Sequence, residues 1–277
     1  MFGLVCATGE ERKAALRLLD EWRPVDLPLD AFLSEGEFGG SRVALVCAGA
    51  GKAPAAAATQ FLIDRYSPEV ILNFGTAGAL AVNLRVGDVV VATSLLHGDI
   101  GVVHGEGFGR TGASVMTENG LACVREYVPD TSFLESARED LAGLSLPGGG
   151  TVRFEPVVTC DQVVLSREFR DDLRRASGAA VVEMEGASVA QVAVMNHLPF
   201  VVIRGVSDTL DFDLVGLEEL FRYMGESRAS CFSRRVRFAA MNPAAMGKVG
   251  KLTRGIRKAS DNAARVALRL VSNCCQP

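Results

Sequence analysis

The chain of 277 residues has few histidines, three in all, and no pair of cysteines separated by two residues. Its seven cysteines are scattered and odd in number, which disfavours a disulfide framework and a zinc site. We therefore expect a reduced protein of the cytoplasm that holds no metal. No run of about eighteen apolar residues occurs, so no membrane-spanning helix is expected. Met1–Ala7 is a short apolar run without a basic leader, and it predicts a buried strand rather than a signal peptide.

Positive charge is concentrated towards the C-terminal end, although the net charge is only −4. The residues from Arg228 onward include eleven lysines or arginines and one acid, Asp261, so the rest of the chain is acidic. Residues 1–240 are predicted as one α/β domain and residues 241–277 as a basic, helical tail with one apolar face. Such a tail could contact an anionic membrane surface or an acidic partner, or pack on the acidic body. It has no aromatic residue, so binding to nucleic acid is not expected.

Apolar runs of strand length alternate with segments of helical periodicity. Runs that are apolar throughout predict strands buried on both faces, and therefore an α/β protein of three layers with helices on both sides of a central mixed sheet. In such sheets ligands bind where strands end and loops begin. The predicted strands include Phe2–Cys6, Val70–Phe74, Val86–Thr93 and Phe200–Val206; the predicted helices include Glu10–Trp22, Ala53–Tyr66, Gly186–Asn196 and Leu217 to about Ala239; and Gly39-Gly40 is a predicted hairpin turn.

Two segments at predicted strand ends suit a ligand with sugar hydroxyls. Asn73–Ala79 reads NFGTAGA and predicts a glycine-rich turn that lets a ligand approach the backbone, or a tight turn without a ligand. Val182–Gly186 reads VEMEG and places Glu183 and Glu185 on one side of an extended segment. The paired oxygens of a carboxylate suit the two hydroxyls of ribose, although solvated acids in the first turn of a helix fit the same pattern.

A third segment suits proton transfer. Val201–Asp208 reads VVIRGVSD, an apolar strand that ends in a serine and an acid. A partly desolvated acid at the mouth of a buried strand can donate a proton near neutral pH, with Ser207 to orient it. The alternative is that Asp208 caps the following helix.

Together and in this order, the three segments resemble the purine nucleoside phosphorylase/nucleosidase superfamily, most of all the 5′-methylthioadenosine/S-adenosylhomocysteine nucleosidases. The resemblance runs from Met1 to about Arg235, and the basic tail lies outside it. It implies that residues 1–240 form a nucleosidase domain with a phosphorylase/hydrolase-like fold. It further implies a homodimeric enzyme without a cofactor, which binds a purine nucleoside and hydrolyses the N-glycosidic bond of a 5′-modified adenine nucleoside to release adenine.

The resemblance also implies catalytic roles. Asp208 would protonate N7 of the purine and hold its 6-amino group, and Ser207 would orient Asp208. Glu11 would position and activate water, and Arg204 would belong to the same site.

Substrate contacts are implied in the same way. Glu185 would bind the ribose diol and Met184 would pack under the ribose. Thr76 stands where these nucleosidases usually have serine, and Val163 stands where they stack a phenylalanine on the base. Thr8 and Leu217 also replace larger residues, so the base and 5′ pockets differ from the usual ones. The remaining predicted substrate contacts are Glu183 and Gly78.

The choice between water and phosphate rests on charge. The phosphorylases of this superfamily hold phosphate with an arginine shortly before the glycine-rich turn, where this chain has Asn73-Phe74. Glu11 would also repel a phosphate dianion, which favours hydrolysis, although Arg204 could still face an anion. Other functions left open are hydrolysis of another purine nucleoside (the futalosine type or the hopanoid-pathway type), phosphorolysis, and nucleoside binding without turnover. The presence of both Glu11 and Asp208 favours an enzyme, because a binding module has no need of a water-activating acid.

Overall fold

The computed structural model describes residues 1–26, 31–105, 107–117, 119–212, 214, 216–218 and 243–273. The boundary predicted at residue 240, and nearly all of the helix predicted from Leu217 to about Ala239, lie outside these residues. The strands are β1 Phe2–Cys6, β2 Glu21–Val25, β3 Phe32–Phe38, β4 Ser41–Cys47, β5 Val70–Ala79, β6 Val89–His97, β7 Gly101–His104, β8 Gly107–Arg110, β9 Ala113–Thr117, β10 Gly120–Val124, β11 Val152–Thr159, β12 Val181–Glu183 and β13 Phe200–Asp208. The helices are α1 Gly9–Leu16, α2 Lys52–Tyr66, α3 Thr131–Leu141, α4 Arg167–Ser177, α5 Gly186–Met195 and α6 Pro243–Asn273.

Nine strands form one mixed sheet in the order β12-β11-β6-β13-β5-β1-β4-β3-β2, and an additional pairing joins β12 to β5. The central pairs β1–β4, β1–β5 and β13–β5 are parallel, while β13–β6 and the edge hairpins are antiparallel. Helices α1, α3 and α6 share one hydrophobic cluster with the sheet, and α2 and α5 share another. The predicted α/β class with a mixed sheet is therefore confirmed. None of the described helices is long and apolar enough to cross a membrane.

Two local predictions are wrong. The helix predicted to reach Trp22 ends at Leu16, and Trp22 lies on β2, which pairs antiparallel with β3 at the sheet edge. The glycine-rich turn predicted after Phe74 is a continuation of β5 to Ala79, because hydrogen bonding to β13 outweighs the weak strand propensity of glycine. The hairpin at Gly39-Gly40 is confirmed, with both glycines at positive φ between β3 and β4.

The predicted basic tail is helix α6, and its apolar side belongs to the main core. Ala263, Val266 and Leu270 are buried in the cluster that α1, α3 and the sheet also form. A Cβ atom on Gly205 of β13 would lie 2.1 Å from the carbonyl oxygen of Ala259, so helix and strand approach more closely than side chains allow. Helix α6 therefore covers the strand that ends in the predicted Ser-Asp pair.

Candidate active site

A cavity of about 180 Å³ lies where β5, β12 and β13 end, beside the start of α1. Nine of the ten sequence-predicted site residues line it, and the tenth, Arg204, is buried behind its wall with 1% of its surface exposed. Helix α6 also contributes to the lining, through Leu252 and Ile256. Leu214 lines the cavity where the sequence pointed to Leu217, which is buried against Leu252. The predicted lining residues are Glu11, Thr76, Gly78, Val163, Glu183, Met184, Glu185, Ser207 and Asp208.

Glu11 is fixed at the start of α1 by a capping box with Thr8, which the T-x-x-E spacing in the sequence could have revealed. One carboxylate oxygen accepts hydrogen bonds from the amides of Ala7 at 3.0 Å and Thr8 at 2.9 Å. The other accepts from the amide of Thr76 at 2.9 Å and from its hydroxyl at 3.2 Å. Four donors therefore orient a carboxylate that is only 3% exposed, on the wall of the cavity.

Gly75 explains why the glycine-rich segment is required beside Glu11. A Cβ atom at this position would lie 2.9 Å from the Oε1 atom of Glu11. Strand β5 can therefore pass against the carboxylate only because residue 75 has no side chain.

Glu183, on the cavity wall, forms a buried ion pair with Arg204 behind it. Arg204 donates from Nε to Glu183 at 2.9 Å and also bonds to the side-chain oxygen of Asn73. Glu183 further accepts from the amides of Glu185 at 3.0 Å and Gly186 at 2.8 Å, at the start of α5. These partners occupy the Glu183 carboxylate and the Arg204 guanidinium. Both residues are therefore suited to holding the strand ends and the start of α5 in place around the cavity, since a buried charge is stable only when it is paired.

Glu185 has fewer partners and a different electrostatic setting. It accepts one hydrogen bond from the amide of Gly51 at 2.9 Å, and Arg204 Nη2 lies 3.8 Å from its other oxygen. Burial, together with the neighbouring charge of Glu183, raises the pKa of Glu185 to about 8, even though Arg204 opposes the shift. Glu185 is therefore the carboxyl group of this cavity with most capacity for further hydrogen bonds near neutral pH.

Asp208 ends β13 and has partners on both oxygens. Ser207 Oγ lies 2.7 Å from Asp208 Oδ1 and 3.1 Å from the carbonyl oxygen of Ala77, and its one proton serves either acceptor. Arg170 Nη2 donates to Asp208 Oδ2 at 2.7 Å. The sequence pattern identified the Ser-Asp pair, and the structure brings it to the cavity.

Arg170 is the charged lining residue that sequence reasoning missed. It lies on α4, is 4% exposed and lines the cavity. Helix α4 contains four arginines, and only its spacing of three from the buried Leu173 marks Arg170 as facing inward. A buried arginine is rare unless it is paired, and the partner of Arg170 is Asp208.

Comparison with known proteins places the chain in a family. A family model described as the phosphorylase superfamily matches residues 1–236. A 5′-methylthioadenosine/S-adenosylhomocysteine nucleosidase of Listeria welshimeri is 32% identical over 206 residues, which cover 71% of this chain and 82% of that protein. An enzyme of the same name from Shewanella sediminis is 33% identical over 180 residues, covering 64% and 73%.

Solved structures share the fold. The nucleosidase of that name from Neisseria meningitidis, in complex with methylthio-immucillin-A, superposes with a TM-score of 0.72 at 23% identity, covering 98% of each chain. Futalosine hydrolase of Helicobacter pylori gives a TM-score of 0.71 at 21% identity, covering 98% of this chain and 96% of that one. Both superpositions cover more of this chain than residues 1–236, which the family model matches, and they extend over helix α6. The chain is thus a member of the phosphorylase superfamily, related in sequence to the 5′-methylthioadenosine/S-adenosylhomocysteine nucleosidases.

Proposed function

We propose that the protein hydrolyses the N-glycosidic bond of a purine nucleoside that carries a substituent at the 5′ position. The observation that carries the proposal is the placement of two fixed carboxyl groups, Glu11 and Asp208, on different elements around one cavity, with Glu185 at the N-cap of α5. Sequence relatives named for 5′-methylthioadenosine and S-adenosylhomocysteine make these two nucleosides the first substrates to test.

The chemistry needs two acid–base groups. As the bond between C1′ and N9 breaks, its electron pair moves to the purine, which becomes a better leaving group when N7 takes the proton carried by the neutral carboxyl form of Asp208. Water then adds to C1′ of the cationic sugar and gives its proton to Glu11. Arg170 stabilises the carboxylate that forms on Asp208 after the proton has left, because their attraction increases as this charge develops in a desolvated site.

Water is favoured over phosphate by the charges around the cavity. Arg204, which could have bound an anion, is turned to Glu183 and Asn73. Among the described lining residues, Arg170 is the cation, and it is paired with Asp208. At about 4 Å and an effective dielectric near 20, one carboxylate repels each unit of phosphate charge by around 4 kcal/mol. Glu11 would therefore exclude phosphate while it orients water.

The nucleophile is tested by removing phosphate. After dialysis into phosphate-free buffer, we expect an unchanged rate of base release and a free 5′-modified ribose as the second product, identified by mass spectrometry. Added phosphate should have no effect beyond that of ionic strength, for which sulfate is the control. A rate that requires phosphate, with ribose 1-phosphate as product, would make the protein a phosphorylase.

The role proposed for Glu185 predicts a pH effect on binding. Because its pKa is about 8, Glu185 is mostly protonated at neutral pH and becomes a carboxylate that accepts from both ribose hydroxyls above it. We expect KM to fall by up to about tenfold between pH 7 and pH 9. The Glu185→Gln variant should lose this pH dependence, and a 2′-deoxy substrate should reduce it. A KM profile that is the same in wild type and variant would remove Glu185 from the diol site.

A second candidate is hydrolysis of a nucleoside of the futalosine type. The TM-score to futalosine hydrolase, 0.71, is nearly equal to the 0.72 for the Neisseria meningitidis nucleosidase, so fold does not separate the two. Val163 favours a base pocket different from the usual one, since an aliphatic side chain offers a smaller surface than phenylalanine. The substrate panel for this protein therefore has to vary both the base and the 5′-substituent.

The homodimer stays a prediction, and exposed apolar side chains support it. Strands β7 to β10 form two hairpins outside the main sheet, with Val103 82% and Met116 73% exposed. Exposed apolar side chains on neighbouring elements are typical of an interface. The contact of the basic segment with a membrane surface or an acidic partner also stays a prediction. Part of that charge pairs within the chain, as Arg257 does with Glu10.

A further inference from the structure

Arg170 is held rigidly at the cavity. Its Nε donates to the carbonyl oxygen of Val164 at 2.9 Å, its Nη1 to that of Ala79 at 3.4 Å, and its Nη2 to Asp208 at 2.7 Å. A guanidinium with fixed partners on two strands and on the loop before α4 does not swing aside without leaving buried acceptors unpaired. Arg170 is therefore a permanent part of the cavity wall around Asp208.

Gly78 makes room for this pair. A Cβ atom at residue 78 would lie 2.9 Å from Nη2 of Arg170 and 3.3 Å from Oδ2 of Asp208. A side chain at residue 78 would therefore collide with the Arg170–Asp208 pair, which explains the glycine at this position of the glycine-rich segment.

Arg170 changes the hydrogen-bonding character of the wall. A guanidinium has five N–H groups and no acceptor, and three of those of Arg170 are used by the partners above. Two N–H groups remain, and within the described part of the chain no partner is assigned to them. Two acceptors of the cavity, the carbonyl oxygen of Val164 and Oδ2 of Asp208, are meanwhile occupied by Arg170. Next to Asp208 the wall therefore offers two unused N–H donors, while each of these two acceptors already accepts a hydrogen bond from Arg170.

This character discriminates between purines at C6. The amino group of adenine donates hydrogen bonds and needs acceptors, whereas the keto oxygen of hypoxanthine or guanine accepts them. An N–H group of Arg170 can serve O6 of a 6-oxopurine whose N7 faces Asp208. An adenine in the same pose would place N–H against N–H, and such unpaired buried donors are costly. Selection of a base by mismatched polar groups is strong for this reason.

We propose that Arg170 is the residue that sets base specificity, and that it makes the site selective for nucleosides of 6-oxopurines over those of adenine. This inference rests on the proposed N-glycosidic hydrolysis and names the class of base for that site. It departs from the adenine that the sequence resemblance implies, because the residues that carry the resemblance do not include Arg170.

The test compares 5′-methylthioinosine with 5′-methylthioadenosine, which differ only at C6. We expect wild-type kcat/KM to favour the inosine derivative at least tenfold. The Arg170→Met variant should lower this ratio at least tenfold, chiefly through loss of activity on the inosine derivative. Arg175→Met on the exposed side of the same helix is the matched control and should leave the ratio unchanged. If Arg170→Met does not fold, Arg170→Lys keeps the charge but removes the planar fork, and it should also lower the ratio.

Calorimetric titration with free hypoxanthine and free adenine separates this inference from the proposed reaction. Tighter binding of hypoxanthine by wild type, lost in Arg170→Met, supports the inference even if neither nucleoside is cleaved, an outcome that would overturn the hydrolysis alone. A wild-type preference for the adenine compounds, or a preference that the Arg170 variants leave unchanged, overturns the inference; release of the base in the same assays would still support hydrolysis.

Discussion

Replacement of Asp208 by asparagine is expected to lower kcat by about 10² to 10⁴ with the fold intact. The amide is nearly isosteric with the carboxyl group but does not deliver a proton to the leaving base. The surroundings can accept it: the amide oxygen can take the hydrogen bond from Arg170, and the amide nitrogen can donate to Ser207. The Ser207 hydroxyl would then turn its own proton to the carbonyl oxygen of Ala77, 3.1 Å away.

The measurement is kcat for release of the purine, with thermal unfolding as the check on the fold. Asp211→Asn is the matched control, because Asp211 is an exposed acid three residues further on, paired with Arg167. The control should keep wild-type activity. If Asp208→Asn retains more than about a tenth of it, Asp208 is a helix cap or a binding group and the proton comes from elsewhere.

The sequence predicted which residues line the cavity better than it predicted local structure. The buried strands β1, β5 and β13 were recognisable because an apolar run has few alternatives to the middle of a covered sheet. Ser207 and Asp208 followed from the end of β13, and Glu11 from the end of β1. Whether Gly75–Ala79 turns or continues as a strand depends on pairing with β13, which lies more than a hundred residues away in the chain. Local pattern carries no information on that pairing.

The roles of charged residues were harder to predict than their location. Glu183 and Glu185 are equivalent in a pattern of two acids, yet one pairs with Arg204 and the other keeps free acceptor capacity. Arg170 is one arginine among four on α4, and only the packing of that helix against Val164 and Asp208 distinguishes it. Partner choice in three dimensions decides what a charge does, and a single sequence does not specify it.

The packing of helix α6 was also not evident from its composition. Its composition suggested a basic appendage, and its basic residues do lie mainly outside the core. Burial of Ala263 and Val266, and the close approach of Ala259 to Gly205, make it part of the support for β13. Its residues Leu252 and Ile256 line the cavity, so the segment beyond the family match contributes to the site.

The second large effect is expected at Glu11, where a Glu11→Gln variant should lower kcat by about 10² or more. Both oxygens of Glu11 face hydrogen-bond donors, namely the amides of Ala7, Thr8 and Thr76. Glutamine places an NH₂ group against one set of these donors, at a cost of about 1–3 kcal/mol of folding free energy, which a folded protein of this size can absorb.

The loss of charge is the larger consequence for catalysis. A carboxylate beside C1′ stabilises the cationic sugar and takes a proton from water, and a neutral amide does neither. The measurements are kcat and the binding of the free purine base, which contacts Asp208 rather than Glu11 and should bind as it does to wild type. Glu10→Gln, the half-buried neighbour in the same first turn, is the control and should keep full activity. If Glu11→Gln loses stability but keeps kcat within about threefold, Glu11 serves α1 as a cap alone, and water must be activated by another group of the cavity.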